Sequence, residues 1–550
     1  MGRKKFRFDF WTILTLVIMA VFVLFLIYPL LSLFFSSFKD PVSGNITLDN
    51  FTKFFSKKYY YQAFLNSFSV TACVTLLAIL IGIPLAYLLT AFKIKGKSII
   101  EVLIIISMLS PPFIGAYSWV LLCGRSGVIT KLFSRIGIEF PTIYGFGGIL
   151  LVLTLKLFPF IYLYISGALK KIDASLGEAA ESLGCSGFKK VFTVIIPLIL
   201  PTLLAGGLLV FMNALADFGT PMLIGEGFNV MPVMIYSEFI SEVGGQANFA
   251  AAMASIMVFV TSFLFLGQKY IVNKKSFTMS SLRPMKAIQL RGFKNIFAHS
   301  FIYIITFLAT IPQLTVIYTS FLKTKGSMFI KGYSLESYKK IFNRMGNAIT
   351  NTYSFGIIAI LIIVIFGIFI AYLSNRRRNV LTSVIDTITM FPYIIPGSVL
   401  GITLLLAFNK PPIILSGSFI ILIIAFVVRR LPYTLRSSAA ILYQISPSME
   451  EASISLGCSP VKSFFKVTAI MMLPGVFSGA ILSWITVINE LSASVILYTG
   501  NTKTMSVSIY TEVIRASYGT AAALSTILTL TTVISLLISF KMSGKKEISI

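Results

Sequence analysis

Residues 11–35 carry no charged side chain, and the chain returns repeatedly to apolar runs of roughly 20 residues. A helix of that length crosses the hydrocarbon core of a bilayer, where only helices and closed barrels satisfy their own backbone hydrogen bonds. Hydrophobic residues make up 56% of the 550 and charged residues 12%. Ordinary soluble domains sit nearer 45–50% and about 25%. A water-soluble core could not hide this much apolar surface, so the chain reads as an all-α polytopic membrane protein.

The formal net charge is +27. In a soluble chain such an excess would point to nucleic acid. Here the Lys and Arg fall between apolar runs, as they do in cytoplasmic loops of membrane proteins, so the expected partner is the lipid bilayer and no nucleic acid. One His and four Cys leave little room for a His/Cys metal site or a disulfide framework. The opening MGRKKFRFDF and the apolar stretch after it are too long for a secretory leader, and no small-residue cleavage site closes them. They read as an uncleaved first helix.

In order, the apolar runs predict membrane helices near 11–35, 66–92, 99–122, 144–168, 198–217 and 249–271. A second series follows near 300–321, 352–374, 381–407, 413–430, 475–497 and 520–541. That makes about 12 spans. Residues 1–271 form a first repeat with a cytoplasmic loop at 169–197, residues 272–297 a basic linker, and residues 298–550 a second repeat with a cytoplasmic loop at 431–474. The positive-inside bias puts the runs at 93–97 and 376–378, the linker, both loops and both termini in the cytoplasm; Arg125, Lys131 and Arg135 are the main exception. Six helices per repeat make the repeats parallel, with a path between them.

One stretch occurs twice. Residues 178–201 read EAAESLGCSGFKKVFTVIIPLILP, and residues 451–474 read EASISLGCSPVKSFFKVTAIMMLP. Each copy predicts a short helix with small residues on it, stopped at Gly184 or Gly457, then a second helix returning to the bilayer. Shorter echoes accompany it: Asn66-Ser67 with Asn351-Thr352, Ala86-Tyr87-Leu88 with Ala371-Tyr372-Leu373, and Met231 to Tyr236 with Met505 to Tyr510. The pattern Glu-Ala-Ala, three residues, Gly, then an apolar segment closing on Pro resembles the loop of permease subunits of bacterial binding-protein-dependent ABC importers. The resemblance implies the type I importer permease fold in the bacterial inner membrane. It assigns ATPase coupling to Glu178, Ala179, Ala180 and Gly184, and to Glu451, Ala452 and Gly457. It implies two copies of an ATP-binding subunit and an extracytoplasmic solute-binding protein as partners. The second copy departs from the first at Ser453 and Ile470, the latter in place of Pro197, and its entry into the membrane helix is expected to differ.

The chain itself reads as a transport subunit and not an enzyme, with no cofactor of its own; ATP and Mg would belong to the partner ATPase. The nearest approach to a phosphate-binding loop, AFKIKGKS at 91–98, lacks the first Gly and joins two membrane helices. His299 is the lone histidine, too little for a membrane enzyme. An ion-coupled secondary transporter would also have two six-helix halves, but it has no use for the doubled loop.

The fused arrangement resembles the ferric-iron importer permeases, with ALADFGTPMLIG at 214–225 and NELSASVIL at 489–497 carrying the likeness. Thiamine, phosphonate, sugar phosphate and polyamine permeases stay open as alternatives. Charged groups at membrane depth cost roughly 2.5–3.5 kcal/mol each, so they face a cavity or a partner. Asp217 and Glu490 stand at equivalent places, and two facing carboxylates would suit a hard cation, which makes them the candidate metal ligands. Lys156 and Arg429 are also equivalent, and two facing cations would suit an anion. With Asn213 and Asn489 they make up the candidate translocation path. Helix capping, snorkelling, or pairing of the cations with Glu178 and Glu451 are the alternatives.

Overall fold

The apolar runs fold as helices. The structure is a computed structural model and describes residues 9–40, 43–111, 114–185, 187–241, 246–274 and 287–543. Most of the basic linker and the two charged ends of the chain lie outside the described residues. Among the described residues nine helices are long and apolar enough to cross a membrane: Phe10–Ser37, Lys58–Ala91, Phe146–Leu169, Val191–Leu215, Ala247–Gln268, Phe293–Ser320, Gly346–Arg376, Pro460–Ile488 and Tyr518–Ser539.

The remaining expected spans differ for identifiable reasons. The run near 99–122 is two helices, Lys97–Met108 and Ile114–Cys123, with Pro111 between them. The run near 381–407 is broken at Pro396, and its two arms, Val380–Ile394 and Gly397–Phe408, meet at 113°. A proline inside a helix removes a backbone bond and clashes with the preceding turn, so paired or flanking prolines break what the apolar pattern joins. The run near 413–430 was expected to stop at its arginines. It continues as one helix, Phe419–Gln444, because Arg429 and Arg430 are paired inside the protein and do not mark a membrane surface. A two-stranded hairpin, Leu322–Lys325 with Met328–Tyr333, had no signal in the sequence pattern.

The helices form two units. Among the described residues, one comprises those within 55–234 and 257–334, the other those within 9–54, 235–256 and 335–543. These packing units are not the two sequence repeats, because each takes in the first helix of the opposite repeat. In the first unit the core gathers Val74, Leu85, Ile104, Leu153, Phe158 and Ile161 with Ile302 and Ala309 of the Phe293–Ser320 helix. Ser118 Oγ donates to the Pro312 carbonyl at 2.7 Å, on the same helix. In the second unit the Phe10–Ser37 helix plays that part. Trp11 packs on Tyr372 and Phe464, with ring centroids 4.6 and 5.2 Å away, and Tyr28 lies against Phe408.

Small residues allow the long helices to approach closely, as in membrane bundles generally. A Cβ on Gly82 would come within 2.6 Å of Ile161 in the first unit. At the equivalent contact of the second unit, a Cβ on Gly367 would meet Thr434 at 3.0 Å. The repeat also appears in polar detail. Met231 N–H donates to Ser67 Oγ at 2.7 Å, and Met505 N–H donates to Thr352 Oγ1 at 2.7 Å. Asn66 donates to the Asn229 carbonyl, and Asn351 to those of Asn501 and Lys503. The Asn-Ser/Thr echo in the sequence therefore fixes the starts of the short apolar helices Met231–Ile240 and Met505–Ile514.

Candidate functional site

Each copy of the doubled stretch is a short helix, a left-handed turn and a returning helix. The first helix, Ala174–Ser182, is capped by the Asp173 side chain, which accepts from Ser175 N–H. The second, Pro447–Ser455, has a Ser446 cap and Pro at its first position. Both stop alike. Cys185 N–H donates to the Ala180 carbonyl at 2.8 Å and Gly184 N–H to Glu181 at 2.9 Å; Cys458 N–H donates to Ser453 at 3.1 Å and Gly457 N–H to Ile454 at 2.9 Å. This crossed pair of bonds needs a left-handed residue, supplied by Gly184 at φ +77° and Gly457 at φ +90°. Both returning helices open with one α turn, Gly187–Lys190 and Pro460–Ser463, followed by a π-helical turn, Val191–Ile195 and Phe464–Thr468. The expectation that Ile470 would alter entry to the second membrane helix is thus corrected: the turn ends two residues before the place of Pro197 in both copies and forms without that proline in the second.

Open space surrounds Gly184, so a Cβ there would strain only the backbone. Gly184→Ala should cost roughly 1–2 kcal/mol. The expected reading is ~10-fold faster hydrogen exchange at the Cys185 amide, with exchange in the Phe146–Leu169 helix unchanged.

The outer face of each helix bears Glu178 and Ala179, or Glu451 and Ala452, all exposed, and ends in an apolar knob. Leu183 is 87% exposed and Leu456, its equivalent, 88%. Ala180, grouped with the coupling residues on the sequence pattern, is buried and turned toward the protein. The inner face is held by charge. Glu181 pairs with Lys190 at 2.8 Å, with Tyr87 beside both. In the second copy the carboxylate is Glu450. It accepts a short hydrogen bond from the Tyr372 hydroxyl and another from Thr468 at 3.4 Å, while Ser463 donates to its backbone carbonyl. Glu450 stands where the first copy has Gly177, and there the end of Lys190 fills the space, 2.9 Å from where a Cβ would be. Sequence reasoning missed Glu450, Leu183 and Leu456. The paired Ala-Tyr-Leu echo was the available signal, since Tyr87 and Tyr372 are its tyrosines.

The membrane-depth charges are arranged otherwise than expected. Lys156 Nζ lies 2.7 Å from Asp217 Oδ2, and Arg429 Nη1 lies 2.5 Å from Glu490 Oε1. Arg430 bonds the other oxygen of Glu490. Each carboxylate also accepts from the loop beyond it, Asp217 from Thr220 N–H at 2.8 Å and Glu490 from Ala493 N–H at 3.1 Å. The reading of like charges as facing pairs is therefore replaced by one opposite-charge cluster in each unit. The carboxylates are already occupied by cations and amides, as groups buried away from water must be. The cations pair with neither Glu178 nor Glu451. Asn213 donates to the Leu209 carbonyl of its own helix at 2.8 Å, and Asn489 to Thr532 at 3.4 Å. Asp386, unassigned in the sequence, lies 3.4 Å from Arg436. Among the described residues no group of three or more His, Cys, Asp or Glu could hold a metal ion.

A water-sized cavity lies beside the first cluster, with about 20 Å³ open to the centre of a water molecule. Lys156, Ser107, Ser110, Thr220 and Gln313 line it. It leaves room for a water beside Lys156. Glu490, 2% exposed, is held instead by two guanidinium groups.

Many apolar spans, a duplicated helix–turn–helix connector with an exposed knob, and charges neutralised inside each unit together define a membrane transport subunit. The sequence matches the family described as binding-protein-dependent transport system inner membrane component over residues 78–277 and 363–544, and the chain belongs to that family. It is 28% identical over 95% of its length to the ferric transport system permease protein FbpB of Actinobacillus pleuropneumoniae, covering 76% of that protein. It is 27% identical over 90% of its length to a putative ferric transport system permease protein FbpB 1 of Haemophilus influenzae, covering 79% of it. The spermidine/putrescine permease protein PotB of Haemophilus influenzae is 27% identical over 48% of this chain and 96% of its own. The protein is thus a multi-pass inner-membrane permease of an ABC importer, fused from two repeats.

Proposed function

We propose that the chain forms the translocation path for ferric iron and is driven by two copies of a separate ATP-binding subunit. Glu178, Ala179 and Gly184 dock one copy, and Glu451, Ala452 and Gly457 the other. The observation that carries the docking is the pair of exposed Leu183 and Leu456 knobs, on helices whose inner faces are fixed by Glu181–Lys190 and Glu450–Tyr372. ATP and Mg act on the partner, and an extracytoplasmic solute-binding protein delivers the cargo. The ferric assignment rests on the two relatives that share most of the chain.

Orientation follows from where the charges gather. In the first unit the end of the Lys58–Ala91 helix meets the connector at Tyr87, and Lys95 N–H donates to His299 at the start of the Phe293–Ser320 helix. In the second unit the Tyr372 end of Gly346–Arg376 meets the connector at Glu450 and the start of the chain at Trp11. Lys93, Lys95, Lys97 and Arg376 to Arg378 thus share a side with the connectors, and the positive-inside rule makes that side cytoplasmic, with both termini. Of the exceptions Arg125, Lys131 and Arg135, Arg125 is paired with Glu226.

The test is reconstitution with an ATP-binding subunit and a solute-binding protein from the same organism. ATP-dependent uptake of radioactive ferric iron into proteoliposomes is expected. Uptake of spermidine or an organophosphonate without iron would replace the cargo assignment. Uptake without any ATPase would overturn the coupling assignment.

A further inference from the structure

Lys131 and Arg135 run against the positive-inside bias and, unlike Arg125, pair with no carboxylate among the described residues. Both stand on the helix Val128–Arg135, which has no buried residue. Ile129 and Phe133 rest on the protein, Phe133 against Phe140 with ring centroids 5.3 Å apart. Beside them runs an aliphatic stripe at helical spacing, Val128, Leu132 and Ile136, which are 70, 60 and 66% exposed. By the helical period, Lys131 and Arg135 flank the stripe on the side away from Ile129 and Phe133. A second element repeats this chemistry. In the hairpin of Leu322–Lys325 with Met328–Tyr333, Lys323 stands opposite Ile330 and Lys325 opposite Met328, so two cations and two apolar side chains share one exposed face.

Both elements lie at the end of their unit away from its connector. The Phe146–Leu169 helix runs toward the connector over 24 residues, about 36 Å. Arg125 sits over the Tyr144 ring, 5.2 Å from its centroid, at the start of that helix. The hairpin follows the Phe293–Ser320 helix, whose other end holds His299 against Lys95. The fold does not demand the exposed helix: in the second repeat Asn409 to Ser418 join Gly397–Phe408 to Phe419–Gln444 without one.

An aliphatic stripe edged with cations, at the ends of membrane helices, fits a lipid surface. Aliphatic side chains enter the boundary between headgroups and acyl chains, and the cations beside them meet phosphate oxygens. Protein contacts select otherwise, with aromatic residues enriched in their cores and Lys depleted. Glu139 is the one carboxylate between Arg125 and Phe146, and the hairpin has none; Lys131, Arg135, Lys323, Lys325 and Lys331 stand against it. We propose that the Val128–Arg135 helix and the hairpin dock on anionic phospholipid in the leaflet away from the connectors. The basic loop that breaks the positive-inside bias is then a lipid site. The inference depends on neither the cargo nor the ATPase docking proposed above.

The experiment places a reporter on each element, Leu132→Trp or Met328→Trp, in the full chain reconstituted into vesicles of mixed phosphatidylcholine and phosphatidylglycerol. One lipid at a time carries bromine on its acyl chains, a contact quencher of tryptophan. The signal of Trp11, Trp119 and Trp484 is subtracted with the parent protein. The added tryptophan should be half-quenched at a ~5-fold lower mole fraction of brominated phosphatidylglycerol than of brominated phosphatidylcholine, the factor that one cation near a charged surface carries. Lys131→Gln with Arg135→Gln should remove that preference at position 132, and Lys323→Gln with Lys325→Gln at position 328. All the substituted side chains are exposed, and an unchanged melting temperature shows that the variants fold. Equal quenching by the two lipids at either position, or quenching by aqueous acrylamide alone, overturns the proposal. So does a Lys131→Gln, Arg135→Gln variant that keeps its lipid preference and loses capture of the solute-binding protein, which would give the face to that protein.

Discussion

Replacing Glu490 by Gln should cost the protein about 3–5 kcal/mol of stability, the loss seen when one partner of a buried ion pair is removed. The reason is what remains. Glu490 is 2% exposed and holds Arg429 and Arg430 together, and both guanidinium groups stay buried when its charge is gone. The Gln amide can still accept from Ala493 N–H, so the loop keeps its anchor and the charge effect is isolated. Asp217→Asn should cost less. Lys156 is a single cation, is 26% exposed, and lines a cavity that can hold water. The measurement is the melting temperature of each variant in the same detergent. The double variant Glu490→Gln, Arg429→Gln should recover part of the loss, because it removes one of the stranded charges. If Glu490→Gln melts with the parent, or if Asp217→Asn is the worse of the two, the clusters are not the internal neutralisation inferred from their geometry.

These clusters also show where sequence reading reaches its end. The repeat at Lys156/Arg429 and Asp217/Glu490 was visible, and so was the oddity of charge at membrane depth. What no linear pattern contained was which charge meets which. Equivalence within a repeat pairs like with like on the page, whereas folding brings each cation to the carboxylate sixty-odd residues along its own unit. The helical class and the doubled connector were legible because they rest on local composition and on Gly184 and Gly457, whose left-handed backbone is a local demand. The exchange of first helices was not, since the apolar residues of the Phe10–Ser37 and Phe293–Ser320 runs name no partner in the linear sequence. Two expected spans failed at Pro111 and Pro396, where the period of the apolar residues continued through a break. The arginine that was read as a boundary, Arg430, lies well inside the Phe419–Gln444 helix, because a buried counter-ion makes a charge compatible with depth.

If Leu183 and Leu456 dock the ATP-binding subunit as proposed, Leu183→Glu together with Leu456→Glu should abolish its co-purification and reduce uptake ~100-fold or more, since a carboxylate buried at a contact without a partner costs enough for that factor. The fold should not suffer. Both side chains are almost wholly exposed, and the bonds that end each helix come from backbone groups of Ala180, Glu181, Ser453 and Ile454. An unchanged melting temperature therefore separates loss of docking from loss of structure. Glu178→Lys and Glu451→Lys should act more weakly, because exposed charges on a docking rim govern the rate of encounter more than the strength of the complex. The single variants carry the sharper test. On the proposed docking, the two connectors act as different sockets, the first braced by Glu181–Lys190 and the second by Glu450–Tyr372. Leu456→Glu alone should leave one ATPase bound and still stop transport, because a power stroke that depends on two ATPases closing on each other has no half-strength form. Half the parent uptake from a half-occupied chain would mean that each socket drives its own repeat, and the coupling role assigned to the pair would have to be withdrawn.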